Sequence, residues 1–291
     1  MRTDGSVVIA LDGAAHSAGT LAWGVAEAVR RRASVVLTQV VDTPWMSSWW
    51  GTYPVIDVAD AEIEAKGYLS RLQQREGRRH PSLEISVDVR HGPAIPELRD
   101  LSTDAQLVVV GAGQPSARGR TGVLGAHLAA HARCPVAVVR HAPDLPTPPE
   151  APIVVGVDGS SASIEAARVA AREAWMRGRT LVLVHARPTV PDPYSTGSVP
   201  PLSTHDVDDP THRAARRVQD SLVRENPGLE VRLELVDDDP ATALVGIARE
   251  AALLVVGTRG LGSFRGMLLG SVSTDVVRSA TCPVLVVHGQ G

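Results

Sequence analysis

The sequence predicts an α/β protein of two tandem, doubly wound domains, each a five-stranded, mainly parallel sheet with helices on both faces. Three observations carry that reading. Short apolar runs alternate with helical patterns, as in right-handed βαβ units. The whole pattern occurs twice at a spacing of 146 residues. Ile153-Val-Val-Gly-Val-Asp158-Gly159 repeats Val8-Ile-Ala-Leu-Asp12-Gly13, Leu229-Glu-Val repeats Leu83-Glu-Ile, and Val256-Gly257 repeats Val110-Gly111. Aromatic residues are scarce (five Trp, three Tyr, one Phe), so Val, Leu, Ile and Ala must fill the core, as they do in parallel strands buried under helices.

Taken in order, the first copy predicts a strand over 6–11 ending at Asp12-Gly13, a helix over 17–31 and a second strand over 35–41. Next come a loop holding Trp45, Trp49, Trp50 and Tyr53, then a polar helix over 57–76. A strand over 83–89, a short helix over 94–102, a strand over 107–110, a helix over 122–132 and a fifth strand over 136–139 complete it. Residues 142–152 hold five prolines in eleven positions and read as a stiff, extended linker. The predicted domains are therefore 1–141 and 153–291, in keeping with roughly 150 residues per domain.

The net charge of −3 gives no broad pull on nucleic acid. Each of the two cysteines, Cys134 and Cys282, precedes Pro and an apolar run at matching positions. Buried, reduced thiols are expected, not a disulfide. The N-terminus has no apolar signal region and no 18-residue apolar span exists, so a cytoplasmic protein is expected.

The chemistry concentrates in residues 253–273. Leu253 to Val256 reads as a buried strand. Gly257, Gly260, Gly262, Gly266 and Gly270 follow, offering backbone that can take positive φ and approach a ligand closely. A helix then opens at Ser271. Strand, glycine loop and helix N-terminus together make an anion site, with phosphate as its natural guest. A surface loop and a glycine-lined packing turn compete with that reading. In a doubly wound sheet, Asp158 and Gly257 would open on one crevice. There the Asp158 carboxylate either meets a base or sugar or caps the next helix with Ser160 or Ser161.

Gly257-xx-Gly260-x9-Gly270-Ser271, together with Asp158-Gly159-Ser160 after the first strand, resembles the universal stress proteins over both halves of the chain. The resemblance implies strand order 3-2-1-4-5, ATP held by the glycine motif, and pairing of domains through their last strands, as a homodimer or within one chain. By position, Asp158 would sit by adenine or ribose and the Ala186 main chain would contact adenine. Gly257 would lie near ribose and phosphates, while Gly260, Gly270, Ser271 and Val272 would cradle the triphosphate. Arg259 and Arg265 either screen phosphate or are solvated.

The weaker first-domain counterpart consists of Asp12, Val40, Gly111 and Gly122. There Gln114 replaces Gly260, Val123 replaces Ser271, Gly125 replaces Ser273, and the loop is two residues shorter. The implied function is an ATP-binding regulator in stress response with little or no turnover. It would act through a nucleotide-dependent conformation or an unidentified protein partner, and Mg²⁺ would arrive with the triphosphate. The alternatives are a slow ATP hydrolase or nucleotidyl-type enzyme, and an interaction scaffold that has lost nucleotide.

Elsewhere, the Trp-rich loop either packs on its own domain or forms a lid or docking patch. His16, His185 and His205 form no metal or catalytic arrangement, so structural or exposed roles are expected. Asp237-Asp238-Asp239 reads as a loop leading into a helix, with cation binding as the competing reading. No Gly-x-x-x-x-Gly-Lys-Ser/Thr loop is present.

Overall fold

A computed structural model of the chain describes residues 5–13, 17–41, 45–48, 51–54, 58–113, 123–140, 148–187, 210–261 and 269–289. The chain forms two compact units, Met1–Asp144 and Leu145–Gly291.

The first unit contains β1 (Ser6–Ala10), α1 (Ser17–Arg31), β2 (Val35–Val41), β3 (Trp45–Ser48), β4 (Gly51–Pro54) and α2 (Val58–Arg79). It continues with β5 (Ile85–His91), α3 (Ala94–Leu101), β6 (Ala105–Gly111), α4 (Val123–His131) and β7 (Val136–Val139). Its parallel sheet runs β5-β2-β1-β6-β7, with Val35 opposite Ile85, Val7 opposite both Val35 and Leu107, and Val108 opposite Val136. The second unit contains β8 (Ile153–Gly156), α5 (Ser161–Arg177), β9 (Leu181–Arg187), α6 (Pro210–Glu225) and β10 (Val231–Asp237). After these come α7 (Pro240–Ile247), β11 (Leu253–Gly257), α8 (Ser271–Ser279) and β12 (Val284–Val287). Its parallel sheet runs β10-β9-β8-β11-β12. Counting the parallel strands of each unit in chain order, both sheets read 3-2-1-4-5.

The central strands are predominantly apolar because helices cover both faces. Ile9, Leu37, Leu107, Ile153, Leu181, Leu183, Leu253 and Leu254 are fully buried. Each such side chain contributes about 1.5–3 kcal/mol of transfer free energy. The duplication extends to one costly feature. Glu27 on α1 and Glu173 on α5 are both buried and paired one turn along to Arg31 and Arg177, whose side chains are 4% and 6% exposed.

Three expectations need correction. The segment after β2 is not only a loop: β3 and β4 pair antiparallel, Trp45 opposite Pro54 and Ser48 opposite Gly51. Its prolines and serines hide this in the sequence, and Pro54 is tolerated because an edge position requires no ladder donor. Trp49 and Trp50 lie outside the described residues. Strand ends also shift, β5 to 85–91 and β6 to 105–111, because pairing with β2 and β1 extends them beyond the apolar run. Finally, the proline-rich linker does not stay extended to its end. Ala151 N–H donates to the Pro148 carbonyl, and the Arg179 guanidinium donates to the carbonyls of Pro148 (2.7 Å) and Ala151 (2.6 Å). Residues 141–147 are outside the described set. Both cysteines are free and buried, and burial pushes their thiols up to about 12 at Cys134 and about 11 at Cys282.

Candidate functional site

The strand order of the second unit reverses between β8 and β11, and the chain after each strand bends away to opposite sides. A cleft opens there, beyond the carboxyl ends of the strands. Its volume is about 570 Å³, within the range of small-molecule sites. Asp158, Ala186, Gly257, Gly260, Gly270, Ser271 and Val272 all line it, and Arg259 joins them. Val157, Val184, Pro240 and Leu244, which sequence reasoning did not single out, make its apolar wall. The one available signal was Pro240 at the first position of α7 behind the Asp239 cap, which brings Leu244 to the sheet.

The two walls differ in chemistry. On one side, α8 opens at Gly270, which offers no side-chain cap. The N–H groups of Ser271, Val272 and Ser273 meet no acceptor among the described residues, as expected of a first helical turn. They carry the positive end of the α8 dipole into the cleft. The turn is held in place from behind: Gly270 N–H donates to the Thr258 carbonyl (2.8 Å) and Ser273 Oγ to the Gly257 carbonyl (2.6 Å). Gly125 stands at the Ser273 position of the first copy, where a Cβ would lie 2.8 Å from Val138 Cγ2.

On the opposite side, β9 outlasts β8. Alternate residues of β9 face β8, as Val157 N–H donating to the Val184 carbonyl shows. Ala186 therefore turns its main-chain N–H and carbonyl toward the side where β8 has ended, and no described residue pairs with them there.

The glycines matter for a different reason from the one the sequence suggests. Positive φ is absent at Gly257, Gly260 and Gly270, and Gly270 has φ −69°. What matters is close approach. A Cβ at Gly257 would lie 2.8 Å from the Ala162 carbonyl carbon, and one at Gly260 only 2.4 Å from Asp158 Oδ2. Positive φ is found instead at Gly13 and Gly159, immediately after the two aspartates, and at Gly113, where the second copy has Arg259. Gly122, Gln114, Gly262, Arg265 and Gly266 lie outside the described residues. Val40 opposite Arg90 and Gly111 opposite Val139 match Ala186 opposite Val236 and Gly257 opposite Val287, and Asp12 follows β1 as Asp158 follows β8.

Asp158 does not cap α5. Ser160 does, its Oγ accepting Ser163 N–H at 3.2 Å. Asp158 Oδ1 instead accepts Ser160 N–H (2.9 Å) and Ser160 Oγ–H (2.6 Å), while Oδ2 accepts Leu261 N–H (2.8 Å) across 103 residues. Burial by itself pushes this carboxyl up. The donors from Ser160, Leu261 and Ser163 outweigh it and hold the group below the ordinary aspartate range. A carboxylate favoured by folding adds stability that is fully present above the unfolded value of about 3.9, and loses it as pH falls through the lower folded value. Acid melts of wild type and Asp158→Asn should therefore diverge above about pH 4 and converge below it. Parallel curves across that range would contradict the assignment.

The other candidates are structural. His185 is buried, with Nδ1 2.8 Å from the Val157 carbonyl. That oxygen can only accept, so Nδ1 carries the proton; Nε2 lies 3.1 Å from Thr211 Oγ1. Asp239 caps α7 by accepting Thr242 N–H, and Asp237 pairs with Arg187. Among the described residues, no group of three or more His, Cys, Asp or Glu could hold a metal ion. No helix among them is long and apolar enough to cross a membrane. His16 and His205 lie outside the described set.

Fold and site define a class: a tandem doubly wound α/β protein with a glycine-lined crevice at the switch point of its second sheet. The sequence signature of the universal stress protein family matches residues 5–140 and 151–288, and the chain belongs to that family. Universal stress protein Rv1996 of Mycobacterium tuberculosis is 32% identical over 303 aligned residues, covering 98% of this chain and 95% of its own. A universal stress protein of Mycolicibacterium smegmatis is 33% identical over 296, covering 98% of each. The crystal structure of a universal stress protein from Archaeoglobus fulgidus shares the fold, with a TM-score of 0.69 at 17% identity over 98% of this chain and 96% of that one.

Proposed function

We propose that the cleft of the second unit binds ATP, and that the protein is a regulator whose conformation or partnership follows nucleotide occupancy. The observation that carries this reading is the pairing of two unlike walls in one crevice. The first-turn amides of α8 suit a phosphate chain. Val157, Val184, Pro240 and Leu244, with the open main chain at Ala186, suit a planar base that needs one donor and one acceptor. Mg²⁺ would arrive on the triphosphate, held mainly by phosphate oxygens and water. No general base faces the α8 amides among the cleft-lining residues. Asp158 is already committed to Ser160 and Leu261, which supports a reading of binding without appreciable turnover.

Calorimetric titration of the full chain with Mg-ATP should give one site per chain. The first copy replaces Gly260 with Gln114 and Ser271 with Val123, removing the space and the hydroxyl that the second copy provides. Two equal sites would contradict the reading, and so would a protein that purifies free of nucleotide and shows no thermal shift with ATP.

A further inference from the structure

We infer that Asp158 and Gly260 form one device: the Asp158 carboxylate positions the 258–261 loop, and residue 260 is glycine to leave room for that carboxylate. The inference deepens the nucleotide reading of the cleft and rests on it for its consequence. The device itself stands on contacts within the protein.

Three contacts close the device. Asp158 Oδ2 accepts Leu261 N–H at 2.8 Å, fixing the far side of the loop. Ser160, held to Asp158 Oδ1 through both its N–H and its hydroxyl, lies with its Oγ 3.3 Å from the Arg259 carbonyl, on the near side. Between them sits Gly260, where a Cβ would come 2.4 Å from Asp158 Oδ2, a separation that real Cβ atoms essentially never show. Residue 260 can carry a side chain only if the carboxylate leaves. The common explanation for such a glycine, backbone freedom, does not apply, because Gly260 has no positive φ.

The duplicated half supplies the control. At the three matching positions the first copy has Asp12, Ala14 and Gln114, so the aspartate stays while the serine and the glycine are both gone. Asp12 Oδ1 accepts the Ser17 hydroxyl, whereas the matching Ser163 hydroxyl donates to the Ser160 carbonyl. Serine and glycine stand together in the second copy and are replaced together in the first, as parts of one device would be. Asp158 is thus a positioning residue. The Ser160 N–H, the Ser160 hydroxyl and the Leu261 N–H all bond its carboxylate within the protein, so its part is to hold the loop. The loop is set before the nucleotide arrives, and the α8 amides it faces need no ordering on binding.

A double-mutant cycle on the full chain tests this, with Asp158→Ala, Gly260→Ala and the two combined. Amide exchange at Leu261, measured without nucleotide, should speed up roughly ten- to hundredfold in Asp158→Ala, as for a lost hydrogen bond to a charged acceptor. Gly260→Ala should produce a similar change. The double variant should be no worse than Asp158→Ala alone, because no carboxylate remains to be displaced. Mg-ATP affinity should follow the same non-additive pattern. Asp158→Asn, which keeps an acceptor for Leu261 N–H, should fall between wild type and Asp158→Ala and guards against a folding artefact. Additive losses overturn the inference, since Gly260 would then serve the phosphates or the chain independently of Asp158. So does a Leu261 amide that exchanges equally fast in wild type and Asp158→Ala. Coupled exchange with no ATP binding in wild type would uphold the device and remove the nucleotide reading instead.

Discussion

Replacing Glu173 by Ala lowers the stability of the second unit by about 3–5 kcal/mol, the cost of stranding a buried charge. Arg177 has a side chain only 6% exposed and is bonded to Glu173 both through its carboxylate and through its backbone carbonyl. With the carboxylate gone, the guanidinium keeps its bond to the residue 173 carbonyl but loses this buried counter-charge, and must either stay buried without it or drag its helix turn outward. At roughly 2–4 °C per kcal/mol for a domain of this size, the transition of the second unit should drop by about 6–20 °C in a calorimetric melt. Replacing both partners with apolar residues should restore most of the loss, since a buried ion pair is seldom better than well-packed hydrophobic side chains. The same replacement at Glu27 should act on the first unit, where Arg31 is 4% exposed. A shift below about 1 kcal/mol at either site would mean that the arginine reaches water freely.

Gly270→Asp should abolish nucleotide binding while leaving the unit folded. There is room for the side chain: a Cβ at 270 would meet nothing nearer than the Thr258 carbonyl oxygen at 3.5 Å. The backbone at φ −69° and ψ 157° is open to any residue, and aspartate is a favourable helix cap. The variant therefore satisfies the α8 amides with its own carboxylate and places a negative charge where the phosphates would lie. At about 5 Å and an effective dielectric constant near 20, each phosphate charge is opposed by about 3 kcal/mol, so affinity should fall at least a hundredfold. Thermal stability should stay level or rise. Mass spectrometry of nucleotide retained through purification, together with titration, reads the first effect, and a melt reads the second. ATP binding that survives this change would place the ligand elsewhere.

Much of this architecture is legible in the amino-acid sequence alone. The 146-residue repeat, the β-branched runs and Asp-Gly at the end of each first strand located the strands and both units. The segments that resisted were those governed by partners distant in the chain. Nothing local in Trp45–Ser48 or Gly51–Pro54 marks a hairpin, because its stability comes from cross-strand pairing. The apolar wall of the cleft was equally hidden, since Val184 and Leu244 look like any core residues until the order of β8, β9 and β11 brings them to one crevice.

That Gly257, Gly260, Gly270 and Ser271 would share one cleft followed from the order of residues along the chain: glycine spacing and a helix start are local properties, and local propensity registers directly in sequence. What each residue does there was decided by the folded chain. Glycine at 260 reads as freedom of φ in the sequence and as space for a carboxylate in the structure. Asp158 reads as a ligand or a cap and is found holding Leu261, 103 residues away. Hydrogen bonds and steric exclusion act over about 3 Å, and only the packing of β8 against β11 brings these groups that close.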